Sequence, residues 1–134
     1  MPSSMARTVV VVEDDASVSS ALTRILRLAG SEPVVYPSAE ALLGSGDPWN
    51  ASCLIIDVQL PGLDGFALCE KLARSRRLPP VIFMTAFDEP EARARAAAVG
   101  AYAFLTKPFS GRSLLDVIEQ ATGSPFGPIS QGAA

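Results

Sequence analysis

The chain has 134 residues, of which 49% are apolar and 19% charged, with 14 acidic against 11 basic side chains, a net charge of −3 and no histidine. That length suits one domain with a substantial core, and the apolar fraction excludes a chain too polar to fold. The charge balance argues against direct nucleic-acid binding, which draws on clustered Lys and Arg. The missing histidine excludes a His general base, a His-ligated zinc site and a phosphohistidine of the chain's own.

No stretch approaches the roughly 20 apolar residues that cross a bilayer, and the opening MPSSMART has no apolar signal segment. A cytoplasmic protein without membrane contact is therefore expected. Residues 1–7 read as an N-terminal arm, 8–121 as the domain, and 122–134, rich in Gly, Pro and Ser, as a flexible C-terminal tail. In chain order, the first apolar run is 8–12 (TVVVV), closed by Glu13, Asp14 and Asp15. A first helix is predicted over 16–29, with Val18, Leu22, Ile25 and Ala29 on one face and Gly30 as its left-handed stop. The second run, 34–36, is short and follows Pro33, which cannot donate to a ladder, so it is predicted to lie at a sheet edge.

Ser38 is placed to cap a short helix over 39–43, and 44–50 (GSGDPWN) is a turn-rich loop. The third run, 53–56, ends at Asp57. A helix over 65–73 is predicted to bury Phe66, Cys69, Leu72 and Ala73. The fourth run, 81–84, ends at Thr85, and a helix then starts near Pro90 and stops before Gly100. Its body, EARARAAAV, is strongly helical but offers little area for packing. The fifth run, 101–105, leads to Lys107-Pro108, and a last helix after Ser110 presents Leu114, Leu115, Val117 and Ile118. Cys53 and Cys69 fall in a strand and a helix and read as reduced core thiols.

Runs one, three, four and five are continuously apolar, the pattern of strands covered on both faces by helices. With right-handed crossovers this predicts an α/β, doubly wound, five-stranded parallel sheet of flavodoxin-like order 2-1-3-4-5. Ligands of such sheets bind beyond the carboxyl ends of the strands. Glu13, Asp14, Asp57, Thr85 and Lys107 all close strands there. Crowded carboxylates invite a cation, and a few hard oxygen ligands suit Mg²⁺. A carboxylate such as Asp57 is able to attack phosphorus and form an acyl phosphate once that charge is offset. Lys107, held extended by the following proline, and the Thr85 hydroxyl would then bind phosphoryl oxygens. Singly, each residue also fits a bland role: a solvated acid, a turn Asp, a surface Lys, a capping Thr.

In order and spacing, VVVVEDDASV, CLIIDVQLPGLDG, VIFMTA and GAYAFLTKPF resemble the receiver domains of two-component response regulators, with DVQLPG and AFLTKPF closest to the FixJ type. The resemblance implies that Asp57 takes a phosphoryl group from a sensor histidine kinase or phosphotransfer protein, with Mg²⁺ as cofactor. Asp14 and Asp57 would bind the cation directly, Glu13 through water, and Gln59 through its backbone carbonyl. It further implies a cis Lys107-Pro108 peptide and a switch in which Thr85 moves and the Phe104 ring is buried, altering the surface of the fourth helix, fifth strand and fifth helix. Phe104 has no hydroxyl, so the ring would act by packing alone. Gln59 and Phe87 stand where side chains screen the phosphate from water.

The implied protein is no turnover enzyme. It catalyses only its own phosphorylation and dephosphorylation. With no effector sequence after the fifth helix, output is expected through a downstream protein, as a single-domain regulator, monomeric or dimeric on phosphorylation, unless the chain is a piece of a longer regulator. Arg93 and Arg95 are contact candidates. Three rivals stay open: a haloacid-dehalogenase-type phosphatase, which wants an acid where Gln59 stands; a flavin binder, whose first loop should not carry three acids; and a receiver-like binding module that is never phosphorylated.

Overall fold

The computed structural model describes residues 7–45 and 48–123. Most of the expected arm, two residues of the 44–50 loop and the tail from residue 124 lie outside them. Eleven elements follow in order: β1 (Arg7–Val12), α1 (Ala16–Leu28), β2 (Ser31–Tyr36), α2 (Ala39–Ser45), a 3₁₀ turn (Pro48–Asn50), β3 (Cys53–Asp57), α3 (Gly65–Ala73), β4 (Val81–Thr85), α4 (Pro90–Ala98), β5 (Ala103–Thr106) and α5 (Gly111–Thr122). The strands form one parallel sheet in the predicted order, β2-β1-β3-β4-β5.

Side-chain parity splits the core in two. Val10, Val12, Leu54, Ile56, Val81 and Phe83 face one layer, where Leu42, Phe66, Cys69, Leu72 and Ala96 cover them. Val9, Val11, Cys53, Ile55, Ile82 and Met84 face the other, under Leu22, Leu26, Leu114 and Ile118. Burying one such Val, Leu or Ile contributes about 1.5–3 kcal/mol, and every residue of β3 and β4 is buried. The ends of these strands are thus the stiffest places in the fold from which to hold a side chain.

Several boundaries and faces differ from the expectation for identifiable reasons. β2 begins at Ser31 rather than at 34, with Pro33 opposite Val9. The edge position gives its missing N–H no neighbour to serve. Arg7, expected in the arm, already pairs with Ser31, and α2 runs on to Ser45. α1 ends at Leu28 with Ala29 as its cap, and its buried stripe centres on Leu22 and Leu26, leaving Val18 and Ile25 half-buried. In α3, Leu68 is buried and Ala73 exposed, so the covered face lies one position nearer the N-terminus.

β5 starts at Ala103, and all four of its residues are only half-buried, against the expected double cover. It is the outer strand, and α4 beside it buries a single residue, Ala96. The alanine-rich body of α4 makes a good helix and a thin cover.

Both cysteines are free and buried, and burial pushes each thiol up to about 12. At pH 8 about one such thiol in ten thousand is ionised, and the thiolate is the reactive form. Iodoacetamide is expected to label neither cysteine in the native protein and both in denaturant. Rapid native labelling at pH 8 would contradict this packing.

Candidate functional site

Four strands deliver polar groups to one edge of the sheet. Glu13 follows β1 and is 2% exposed, Asp57 ends β3 at 3%, and Thr85 ends β4 at 0%. Lys107 follows β5, and its backbone N–H donates to the Thr85 carbonyl at 2.7 Å. The Lys107-Pro108 peptide is cis, as the resemblance implied. The ammonium of Lys107 lies between two carboxylates, 2.9 Å from Glu13 Oε1 and 2.9 Å from Asp57 Oδ2. Asp57 Oδ1 accepts the backbone N–H of Gln59 at 2.8 Å. Asp14 is exposed, and oxygens of Glu13, Asp14 and Asp57 come within 4.8 Å of one another.

The electrostatics of this cluster are unbalanced, with three carboxylates against one ammonium. Burial raises the Glu13 carboxyl above its ordinary range, and the nearby Asp57 charge adds to this; Lys107 and the Asp15 amide pull the other way without cancelling it. Burial alone would lower Lys107, but its bonds to Asp57 and Glu13 prevail and hold it above the usual lysine value. Two like charges about 4 Å apart repel by about 4 kcal/mol at an effective dielectric constant near 20. One ammonium relieves part of that, and a cation beside Asp14 would relieve more.

The acidic triplet after β1 divides by role. Asp15 caps α1, accepting from the backbone N–H groups of Ser17 at 2.9 Å and Val18 at 3.2 Å. Its own N–H donates to Glu13 Oε2 at 3.1 Å, which aims the Glu13 carboxylate. The Thr85 hydroxyl donates toward Gln59 Oε1 at 3.1 Å and the Phe87 carbonyl at 3.2 Å, and accepts the Phe87 N–H at 3.0 Å. Phe87 is 60% exposed at the mouth of the site. Phe104 is half-buried, opposite Phe83 across the β4/β5 ladder.

Arg93 and Arg95 are not the free surface charges that a helical pattern suggests. Arg93 pairs with Asp88 and lies 4.9 Å over the Phe104 ring; Arg95 lies 4.6 Å over Phe66 and 3.5 Å from Asp64. Asp88, Asp64 and Glu40 were missed by sequence reasoning. Asp64 had a detectable signal, since an Asp before Gly65 at a helix start is a common cap, and it accepts from the Ala67 N–H at 2.8 Å.

Comparison with known proteins gives one answer. The family profile described as the response regulator receiver domain matches residues 9–119. Nodulation protein W of Bradyrhizobium diazoefficiens is 43% identical over 114 residues, covering 85% of this chain and 50% of that protein. Transcriptional regulatory protein FixJ of the same organism is 31% identical over 113 residues, covering 84% of this chain and 55% of that protein. The chain thus spans about half the length of these curated relatives. The crystal structure of a response regulator receiver protein from Burkholderia phymatum is 38% identical with a TM-score of 0.78, covering 90% of this chain and 98% of that one.

The loop after Asp57 is held from both sides. Glu40 Oε2 on α2 accepts the Leu63 N–H at 3.0 Å, and the Gly65 N–H donates to the Val58 carbonyl at 3.1 Å. A Cβ on Gly65 would lie 2.5 Å from the Asp57 carbonyl oxygen. Helix propensity favours Ala over Gly by about 1 kcal/mol, whereas a clash with backbone that cannot rotate away costs about 1–3 kcal/mol. Gly65→Ala is expected to lose stability in urea unfolding. A gain would show that the strand end is not fixed as described.

Proposed function

Because the chain belongs to the response regulator receiver domain family, we propose that Asp57 is its phosphoacceptor, charged by a sensor histidine kinase or phosphotransfer protein. The observation that carries this is the Lys107 ammonium held between two buried carboxylates from different strands, beside a fully buried Thr85 hydroxyl. Carboxylates buried at such density are expensive to keep and rarely persist without a task.

The donor set fits a hard divalent cation. Its oxygens are few and mostly anionic, and Asp14 is exposed where an ion keeping several waters has room. Asp14, Asp57 and the Gln59 carbonyl would hold Mg²⁺, with Glu13 reaching it through water. Bound there, the ion would supply the positive charge that lets one anion approach another.

The chain's own residues do the rest. A carboxylate oxygen of Asp57 attacks phosphorus and the P–N bond of the donor phosphohistidine breaks. The bonding pair returns to the imidazole, and a mixed anhydride forms on Asp57. Lys107 turns from one of the two carboxylates it now bridges to a phosphoryl oxygen, and Thr85 leaves Gln59 and Phe87 to donate to another. Hydrolysis by water returns the Asp57 carboxylate and inorganic phosphate. This self-limited chemistry is that of a switch rather than of a turnover enzyme. Output then passes through Phe104 and the surface of α4, β5 and α5 to a protein partner, in a cytoplasmic setting. Among the described residues no helix is long and apolar enough to cross a membrane.

Intact-mass analysis after incubation with phosphoramidate tests the reading. One added phosphoryl group is expected on wild type with Mg²⁺, and none after chelation or in Asp57→Asn. No adduct under any of these conditions, nor with candidate kinases, would favour a binding module that is never phosphorylated. Gln59 and Phe87 flank the path of attacking water. Gln59→Ala and Phe87→Ala are expected to change the lifetime of the phosphorylated form severalfold, and lifetimes equal to wild type in both would remove that role.

A further inference from the structure

α4 is attached in an unusual way. Its one buried residue is Ala96, while two arginines leave it on opposite flanks toward aromatic rings. Arg95 lies over Phe66, a ring 3% exposed and set edge-on against Phe83 at 4.8 Å. That ring has nowhere to go. Arg93 lies over Phe104, which is only half-buried on the half-covered strand β5.

Arg93 is itself fixed. Its Nε and Nη2 donate to the two oxygens of Asp88 at 2.5 and 2.9 Å, a fork that matches the planar guanidinium to the carboxylate. Asp88 adjoins Phe87, whose N–H and carbonyl both bond the Thr85 hydroxyl. One side chain thereby ties together the loop hanging from Thr85, the helix that follows it and the ring of Phe104. A two-point fork tolerates little displacement, so movement of the Thr85 loop and movement of the ring both strain it.

We propose that Arg93, forked on Asp88 and stacked on Phe104, is a positioning residue that latches the resting conformation and slows phosphoryl uptake at Asp57. This rests on the phosphoacceptor reading above. Phosphorylation would have to break the latch, and the strength of the latch sets how much of the switched form exists beforehand. A cation over an aromatic face at an exposed site is worth a factor of about two to five, and the half-exposed fork adds a modest further factor.

Arg93→Ala and Asp88→Ala are each expected to raise the rate of uptake from phosphoramidate about three- to tenfold. Phe104→Leu, which removes the π face, should shrink the effect of Arg93→Ala to the modest share of the Asp88 fork, because the two changes have the ring contact in common. Arg95→Ala removes a like contact from the same helix without touching the ring of Phe104, and it should leave the rate near wild type. A merely structural role would lower thermal stability in the two arginine variants alike and show no dependence on Phe104.

NMR of the unphosphorylated protein reads the latch separately. The Phe104 ring signals of Arg93→Ala should report exchange with a second conformation, while wild type and Arg95→Ala show one. If wild type takes up no phosphoryl group, the function proposed above fails and the ring signals still decide the latch. Unchanged Phe104 signals and wild-type uptake in Arg93→Ala would overturn it, as would equal acceleration by Arg95→Ala or additive effects with Phe104→Leu.

Discussion

The Lys107 ammonium, bridging Glu13 and Asp57 at 2.9 Å each, is the contact on which the rest of the site depends. Without it two buried carboxylates would face each other uncompensated, and an unpaired buried charge costs several kcal/mol. With it, the ends of β1, β3 and β5 are tied across the full width of β4. The charge is still not balanced, because Asp14 stands beside the pair. On the proposed reading, that residual negative charge is what would favour a cation there.

Rigidity is distributed unevenly, and the pattern follows the chemistry. β3 and β4 are buried throughout, and β1 over its last four residues; these strands hold Glu13, Asp57 and Thr85 between two packed layers. β5 and α4 lie on the same molecule with half the cover. On the proposed reading, Asp57, which must keep its place against a reacting phosphorus, sits on the stiff part, whereas Lys107 follows the half-covered β5. Phe104 and the loop after Thr85 sit where a displacement costs little packing.

Much of this was legible because it depends on local pattern. Continuous apolar runs identified β1, β3 and β4, and polar residues closing those runs identified Glu13, Asp57 and Thr85, since strand ends in a parallel sheet share one edge. The proline at 33 placed β2 at the margin, though not its starting residue. What stayed hidden depends on distance in space. Glu40 reaches Leu63 across 23 residues, and the partners of Arg93 and Arg95 lie on a loop, a strand and another helix. No periodicity encodes those meetings. The apolar run of β5 read as fully covered because a run reports what a strand can bury, whereas exposure depends on the neighbour, here a helix of small residues.

A single proton limits what the switch can do on the proposed reading. The Thr85 hydroxyl has one hydrogen to donate, now directed toward Gln59 Oε1 or the Phe87 carbonyl, so bonding a phosphoryl oxygen excludes both. A bond to a neutral acceptor contributes about 0.5–1.5 kcal/mol and one to a charged acceptor about 1.5–3 kcal/mol. The exchange thus favours the switched form by about 1–2 kcal/mol. Turning a population from 1:99 to 99:1 takes about 5.5 kcal/mol. Thr85 alone is therefore too weak, and Lys107, which trades one charged acceptor for another, adds little by the same reckoning; on the proposed reading the remainder has to come from packing and charge beyond these two groups.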